Sequence, residues 1–266
     1  MSETPSEPPS EPALLEARGL VKRYGHVQAL DGAGFTAYRG EVVALIGDNG
    51  AGKSTLVKVL SGAIRPDGGQ ILVEGQPVEL SSPLDARGYG IETVYQDLAL
   101  APDLDPAANL YLGRELYRVR ALRVLNRGEM RRKAKDAFAA LGIQLQDITA
   151  PVGTLSGGQR QSVAVARAVA FASKLIFMDE PTAALGVLQR QRVLDTIKRV
   201  RDQGVTVVLI SHNMPEVLAV ADRVQVLRLG RLVATYSASA TSIEELVGAM
   251  TGALELNGTL STGEGA

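Results

Sequence analysis

The octapeptide Gly47-Asp48-Asn49-Gly50-Ala51-Gly52-Lys53-Ser54 constrains this chain more than any other stretch. It follows the apolar run Val42-Val43-Ala44-Leu45-Ile46, and a helical pattern over residues 53–60 follows it. An apolar run of that length, ended by glycine, predicts a strand buried on both faces, as in a parallel sheet. The glycines let successive backbone N–H groups curl around phosphate oxygens, and the helix behind them turns its positive end to the same charge. In such a loop Lys53 neutralises the β/γ-phosphates and the Ser54 hydroxyl ligates Mg²⁺, with the phosphate-holding stretch running on into Thr55. A plain glycine-rich turn between strand and helix would not need all four fixed positions of G-x-x-x-x-G-K-[ST] filled.

The rest of the chain continues the alternation. Strands are expected at 14–22, 27–37, 175–178, 205–210, 224–229 and 231–234, and a hairpin about Gly75 after a turn at 66–69. Helices are expected from the Asn126 cap with Met130, Ala134, Ala137, Phe138 and Leu141 on one face, from Ser156 to about 172, and over 187–201. Strands alternating with helices predict an α/β core with a mainly parallel sheet, and 45% hydrophobic residues in 266 suffice for a substantial interior. The region of about 97–158 reads as a helical insert. Residues 1–13, rich in Pro, Ser and Glu, read as a disordered tail rather than a signal peptide, and 253–266 as a flexible one.

A net charge of −1 gives no overall basic field for nucleic acid, and the absence of cysteine excludes disulfides and thiolate chemistry. No run of about 20 apolar residues is present. The basic cluster Arg131-Arg132-Lys133 reads as a solvated helix face. His26 is given no role.

Two further elements carry chemistry. Asp179 and Glu180 end an apolar strand, where ligands of parallel sheets bind. An aspartate there can hold Mg²⁺, and an adjacent carboxylate can orient and deprotonate an attacking water. In Leu155-Ser156-Gly157-Gly158-Gln159, Ser156 and Gln159 have capping-box spacing. The two glycines weaken a first helical turn, and make sense if a phosphate approaches that backbone closely.

With these residues the chain resembles the ATP-binding cassette (ABC) ATPases. Residues 155–159 match the family's LSGGQ signature, placed between the two phosphate-site motifs. Gln96 resembles the glutamine loop that contacts Mg²⁺ and water, His212 the switch histidine at the γ-phosphate, and Tyr24 the aromatic that stacks on adenine. The resemblance covers about residues 14–234, within an ATPase domain spanning about 14–252. It implies a P-loop NTPase (RecA-like) α/β core with an N-terminal antiparallel β subdomain and an inserted α-helical subdomain. It also implies that ATP and Mg²⁺ are bound and hydrolysed by two copies arranged head to tail. Lys53, Ser54, Asp179, Glu180, Gln96 and His212 of one copy would then act with Ser156 and Gly158 of the other. One departure stands out: Ala183-Ala184-Leu185-Gly186 replaces the family's usual Ser-Ala-Leu-Asp. Gly186 lacks the carboxylate through which the two sites sense each other, which implies looser coupling between them.

The residues flanking 47–54, 94–100, 183–186 and 211–215 are similar to bacterial monosaccharide importers of the ribose, xylose and fructose type. That similarity implies a peripheral place on the cytoplasmic face of the membrane. It also implies a separate transmembrane permease, docked near residues 96–112, and an extracytoplasmic sugar-binding protein reached indirectly. An exporter cassette, or an importer for another solute, is the alternative. A chromosome-type ATPase would carry a long coiled coil between Lys53 and Asp179, a translation-type ATPase would carry two cassettes, and a regulatory switch would lack the signature. No nucleic acid is expected as a partner.

Overall fold

The computed structural model describes residues 12–253 apart from 96, 120, 146 and 184. Of the expected tails, 1–13 and 253–266, all but residues 12, 13 and 253 lie outside the described residues. A six-stranded sheet forms the centre. Its strands are β3 (Val42–Ile46), β6 (Ile91–Val94), β9 (Leu175–Asp179), β10 (Thr206–Ile210), β11 (Arg223–Arg228) and β12 (Arg231–Ser237). Their order is β12-β11-β3-β10-β9-β6, and all adjacent pairs are parallel except β11–β12. Every residue of β3 and β10 is buried, because helices or a second sheet cover both faces.

Alternation along the strands sorts the interior into layers. Val42, Ile176, Met178, Val207 and Leu209 pack with α4 (Arg127–Ala140), α5 (Gly157–Val169) and α6 (Val187–Asp202). Val43, Leu45, Leu175, Phe177, Val208 and Ile210 point the other way. They meet α1 (Lys53–Leu60) and a four-stranded antiparallel sheet of order β2-β1-β4-β5. That sheet comprises β1 (Leu15–Tyr24), β2 (Val27–Ala37), β4 (Gly68–Val73) and β5 (Gln76–Val78). The strict period of two is what lets one strand serve both layers.

Three features differ from the sequence expectation. The chain between α1 and β9 adds α2 (Pro83–Gly88) and the edge strand β6. The insert is not purely helical: after α3 (Pro106–Leu110), a hairpin of β7 (Tyr117–Val119) and β8 (Val124–Leu125) precedes α4. Beyond β10 the chain forms α7 (Met214–Val220), which no expectation covered, whereas α8 (Ile243–Thr251), after β12, forms where Thr241 to Leu246 reads as a capped helix, with Ser242 at its N-cap. The cluster at 131–133 is a solvated helix face, with its charges paired to Asp105, Glu129 and Asp136.

Candidate functional site

Strand register brings the expected residues to one edge of the sheet. Ile210 lies level with Asp179 on one side and with Leu45 on the other, so β3, β10 and β9 end together. The chain leaves β3 into the 47–54 loop, leaves β9 at Asp179-Glu180, and leaves β10 into Ser211-His212. The carboxyl end of a parallel sheet is where ligands of such folds bind.

The loop is held open from below. Gly52 precedes α1 in the left-handed conformation (φ 103°), and a Cβ there would lie 2.5 Å from the Ala29 carbonyl oxygen. A Cβ on Gly47 would collide with the Leu227 carbonyl. Only glycine lets the loop lie this close to β2 and β11. The start of α1 has no side-chain cap and no acidic residue in its first turn, so the positive end of the helix is not offset by a side chain of its own. The Lys53 ammonium donates to the Gly47 and Asp48 carbonyl oxygens at 2.7 and 3.0 Å and so sits over the loop. Burial lowers its pKa, against the pull of Glu180, Asp48 and Asp179. Ser54 is exposed at the same helix end.

Glu180 adopts φ 49°, unusual for a residue with a side chain, and its N–H donates to the Ile210 carbonyl at 2.9 Å. That bend aims its carboxylate at His212, whose Nδ1 lies 2.8 Å from Glu180 Oε1. A carboxylate can only accept, so Nδ1 is the donor in this contact and Nε2 takes no part in it. Asp179 is held above the ordinary carboxylate pKa by burial first and by the Glu180 charge second, while Lys53 opposes both. The donor chemistry suits Mg²⁺, because the Ser54 hydroxyl and the Asp179 carboxylate both offer oxygen. Among the described residues no group of three or more His, Cys, Asp or Glu could hold a metal on its own. A hard cation there would draw most of its ligands from phosphate and water, as Mg²⁺ does.

The Asp179 shift makes a prediction. A pKa raised in the folded state means that the folded chain binds its proton more tightly than the unfolded chain. Stability is therefore lost as pH rises from the ordinary value of 3.8 through the raised one. Asp179→Asn should raise the thermal midpoint of the nucleotide-free protein at neutral pH by about 1–4 °C. The gain should shrink as pH falls through the raised pKa and be gone near the ordinary value of 3.8. Melting curves across that range check it.

The signature lies elsewhere. Ser156 and Gln159 close the expected capping box, Gln159 N–H to Ser156 Oγ at 3.3 Å and Ser156 N–H to Gln159 Oε1 at 2.9 Å. A Cβ on Gly157 would meet nothing, whereas one on Gly158 would meet Gln189 Cγ at 2.7 Å. A side chain at Gly158 would thus have to displace the exposed Gln189 side chain. Ser156 and Gly158 line a cleft of about 510 Å³ with Gln189, Arg192 and Asp195, and none of its lining residues belongs to the 47–55 loop. Tyr24, at the end of β1, is 47% exposed, with Lys22 Nζ over its ring at 6.0 Å from the centroid. Gln96 lies outside the described residues, as does Ala184 of the 183–186 segment. Gly186 caps α6 without a side-chain bond.

Two connections have no signal in the sequence reading. Arg167 of α5 donates to the Leu98 and Ala99 carbonyls at 2.9 and 2.7 Å, tying the signature helix to the segment after residue 96. Thr182 donates to Glu216 at 2.5 Å. Neither spacing, 68 or 34 positions, produces a local pattern.

The ABC transporter family model matches residues 30–183. The chain is 53% identical to a fructose import ATP-binding protein of Rhizobium meliloti, over 91% of this chain and 95% of that one. It is 48% identical to a xylose/arabinose import ATP-binding protein of Sulfolobus acidocaldarius, over 90% and 94%. Against a ribose import ATP-binding protein of Rubrobacter xylanophilus it is 47% identical over 90% of its own length but spans only 47% of that protein. A nucleotide-free ATP-binding cassette of an ABC transporter superposes with a TM-score of 0.75 at 26% identity, covering 90% of this chain and 96% of the other.

Proposed function

The chain belongs to the ABC transporter family, and from that membership we infer that it is the ATP-hydrolysing subunit of an importer, energising uptake of a monosaccharide through a separate membrane permease. The observation that carries the hydrolytic part is the meeting of the 47–54 loop, Asp179-Glu180 and His212 at the ends of three adjacent strands. The sugar-import names of its relatives support the transport part.

In this reading Gly47 to Thr55 holds the phosphates of ATP, Lys53 neutralises the β/γ-phosphates, and Tyr24 stacks on the base. Ser54, Asp179 and Gln96 hold Mg²⁺, which supplies charge neutralisation on the phosphate oxygens when bound. Glu180 takes the proton of the attacking water, and His212 presents Nε2 toward the γ-phosphate. Ser156 and Gly158 line a cleft of their own, apart from the phosphate loop. That separation supports a composite site in which they meet the γ-phosphate of a second, head-to-tail copy. The ATPase domain then spans about 14–252, with the insert at about 97–158. Among the described residues no helix is long and apolar enough to cross a membrane. From the import names of its relatives we place the chain peripherally on the cytoplasmic face, through the permease, with an extracytoplasmic sugar-binding protein as an indirect partner.

Two measurements test this. Specific ATPase activity should fall on dilution through the dimer dissociation range; constant activity well below about micromolar concentration would exclude a composite site. Deleting the gene should abolish uptake of one labelled monosaccharide among fructose, xylose, arabinose and ribose. Undiminished uptake of all four would count against sugar import.

A further inference from the structure

Helix α7 begins with an N-cap that looks ordinary and is not. Asn213 caps it by accepting the Glu216 N–H at 3.3 Å, and Glu216 stands at the third helical position. An acid at that position usually turns back to the N-cap backbone N–H. Among the described residues three helices close this box, through Ser82/Asp85, Ser156/Gln159 and Ser242/Glu245, while Glu129 of α4, behind its Asn126 cap, turns to Arg132 instead. Glu216 does not close it either. The Asn213 N–H is taken by Ser211 Oγ at 3.1 Å, and the Glu216 carboxylate is directed elsewhere.

It gathers donors from three segments. Oε2 accepts from Thr182 Oγ1 at 2.5 Å, Oε1 accepts from Asn213 Nδ2 at 2.9 Å, and Arg190 Nη1 of α6 lies 3.6 Å away. Arg190 also donates from Nε to the Leu185 carbonyl at 2.8 Å. The Glu216 side chain is only 11% exposed, so each lost partner would leave a poorly solvated charge. Thr182 lies two residues beyond Glu180, and Asn213 is next to His212. One carboxylate therefore holds together the two loops whose tips form the 2.8 Å Glu180–His212 contact. Glu180 needs such support, because a side-chain-bearing residue at positive φ persists only when its surroundings over-determine it.

We propose that Glu216 is a positioning residue for hydrolysis: through Thr182 and Asn213 it locks the Glu180 loop to the His212 loop, so that the two groups meet the nucleotide as one rigid unit. This rests on the reading of Glu180 and His212 as the hydrolytic pair. Nucleotide binding, which depends on the 47–55 loop, should be spared when the lock is removed.

Glu216→Asp separates this role from helix capping. The shorter acid keeps the charge at the start of α7 and the reach to Asn213, but falls short of Thr182. In the full-length protein, Glu216→Asp, Glu216→Ala and Thr182→Val should each lower kcat about tenfold or more. ATP affinity should change little for Glu216→Asp and Thr182→Val, and melting temperature should fall by a similar amount in both, because each leaves the same carboxylate one donor short. The Glu216→Asp/Thr182→Val double variant should be no slower than either single one, because one bond is removed in both. Wild-type kcat in Glu216→Asp, additive losses in the double variant, or losses that only track melting temperature would each overturn the proposal. Glu180→Gln, assayed alongside, keeps the two readings apart. If it is inactive while Glu216→Asp is normal, only the lock fails; if it turns over normally, the hydrolytic pair itself is wrong.

Discussion

Glu180→Gln should bind ATP with near wild-type affinity while its turnover drops by about 10²-fold or more. The amide is nearly isosteric, and its oxygen can still accept from the His212 Nδ1–H now 2.8 Å from Glu180 Oε1. The main chain keeps its bond from the Glu180 N–H to Ile210. The amide cannot take a proton from water, which is the single function removed. If two copies close over two ATP molecules, they should then stay closed, because the γ-phosphate that joins them is not released. Gel filtration in Mg²⁺-ATP should show a persistent dimer for the variant and a transient one for the wild type. Normal single-turnover hydrolysis by Glu180→Gln would rule out this residue as the base.

Lys53→Ala should act on the earlier step and weaken ATP binding by about 10- to 100-fold. Its ammonium already sits over the loop on the Gly47 and Asp48 carbonyls. Phosphate oxygens arriving there would gain charge-assisted bonds without the side chain having to reorganise. The pH dependence has a defined sign. Burial holds the Lys53 pKa below 10.5 in the free chain, whereas bound phosphate favours the charged form. ATP affinity of the wild type should therefore fall as pH rises through the lowered value, and Lys53→Ala should lose that dependence. Titrations with a fluorescent ATP analogue across alkaline pH measure both effects.

Much of the framework is legible from residue order. The runs at 42–46, 175–179 and 206–210 contain almost nothing that water would keep, and all three are strands in the centre of the sheet. The Ser156–Gln159 box was readable because donor and acceptor lie three residues apart. β6 was not. It carries Glu92 among apolar neighbours, and that acid is 8% exposed only because Arg114 and Arg87 pair with it from other elements. The β7–β8 hairpin is equally silent, since its apolar residues are largely exposed and show no buried face.

The same limit separates two pairs of identical spacing. Ser156 with Gln159 and Asn213 with Glu216 look alike as text, yet the first closes locally and the second reaches Thr182, 34 positions away. The sequence by itself determined the phosphate loop, the order of its companion motifs and the parallel core, because these depend on short-range geometry and apolar periodicity. The tertiary structure alone decided that β3, β10 and β9 end level, that Glu180 bends toward His212, and that Glu216 leaves its own helix cap. It also placed the signature in a cleft apart from the phosphate loop. Those outcomes depend on which distant donors the packed sheet carries within bonding distance, and no local pattern encodes that.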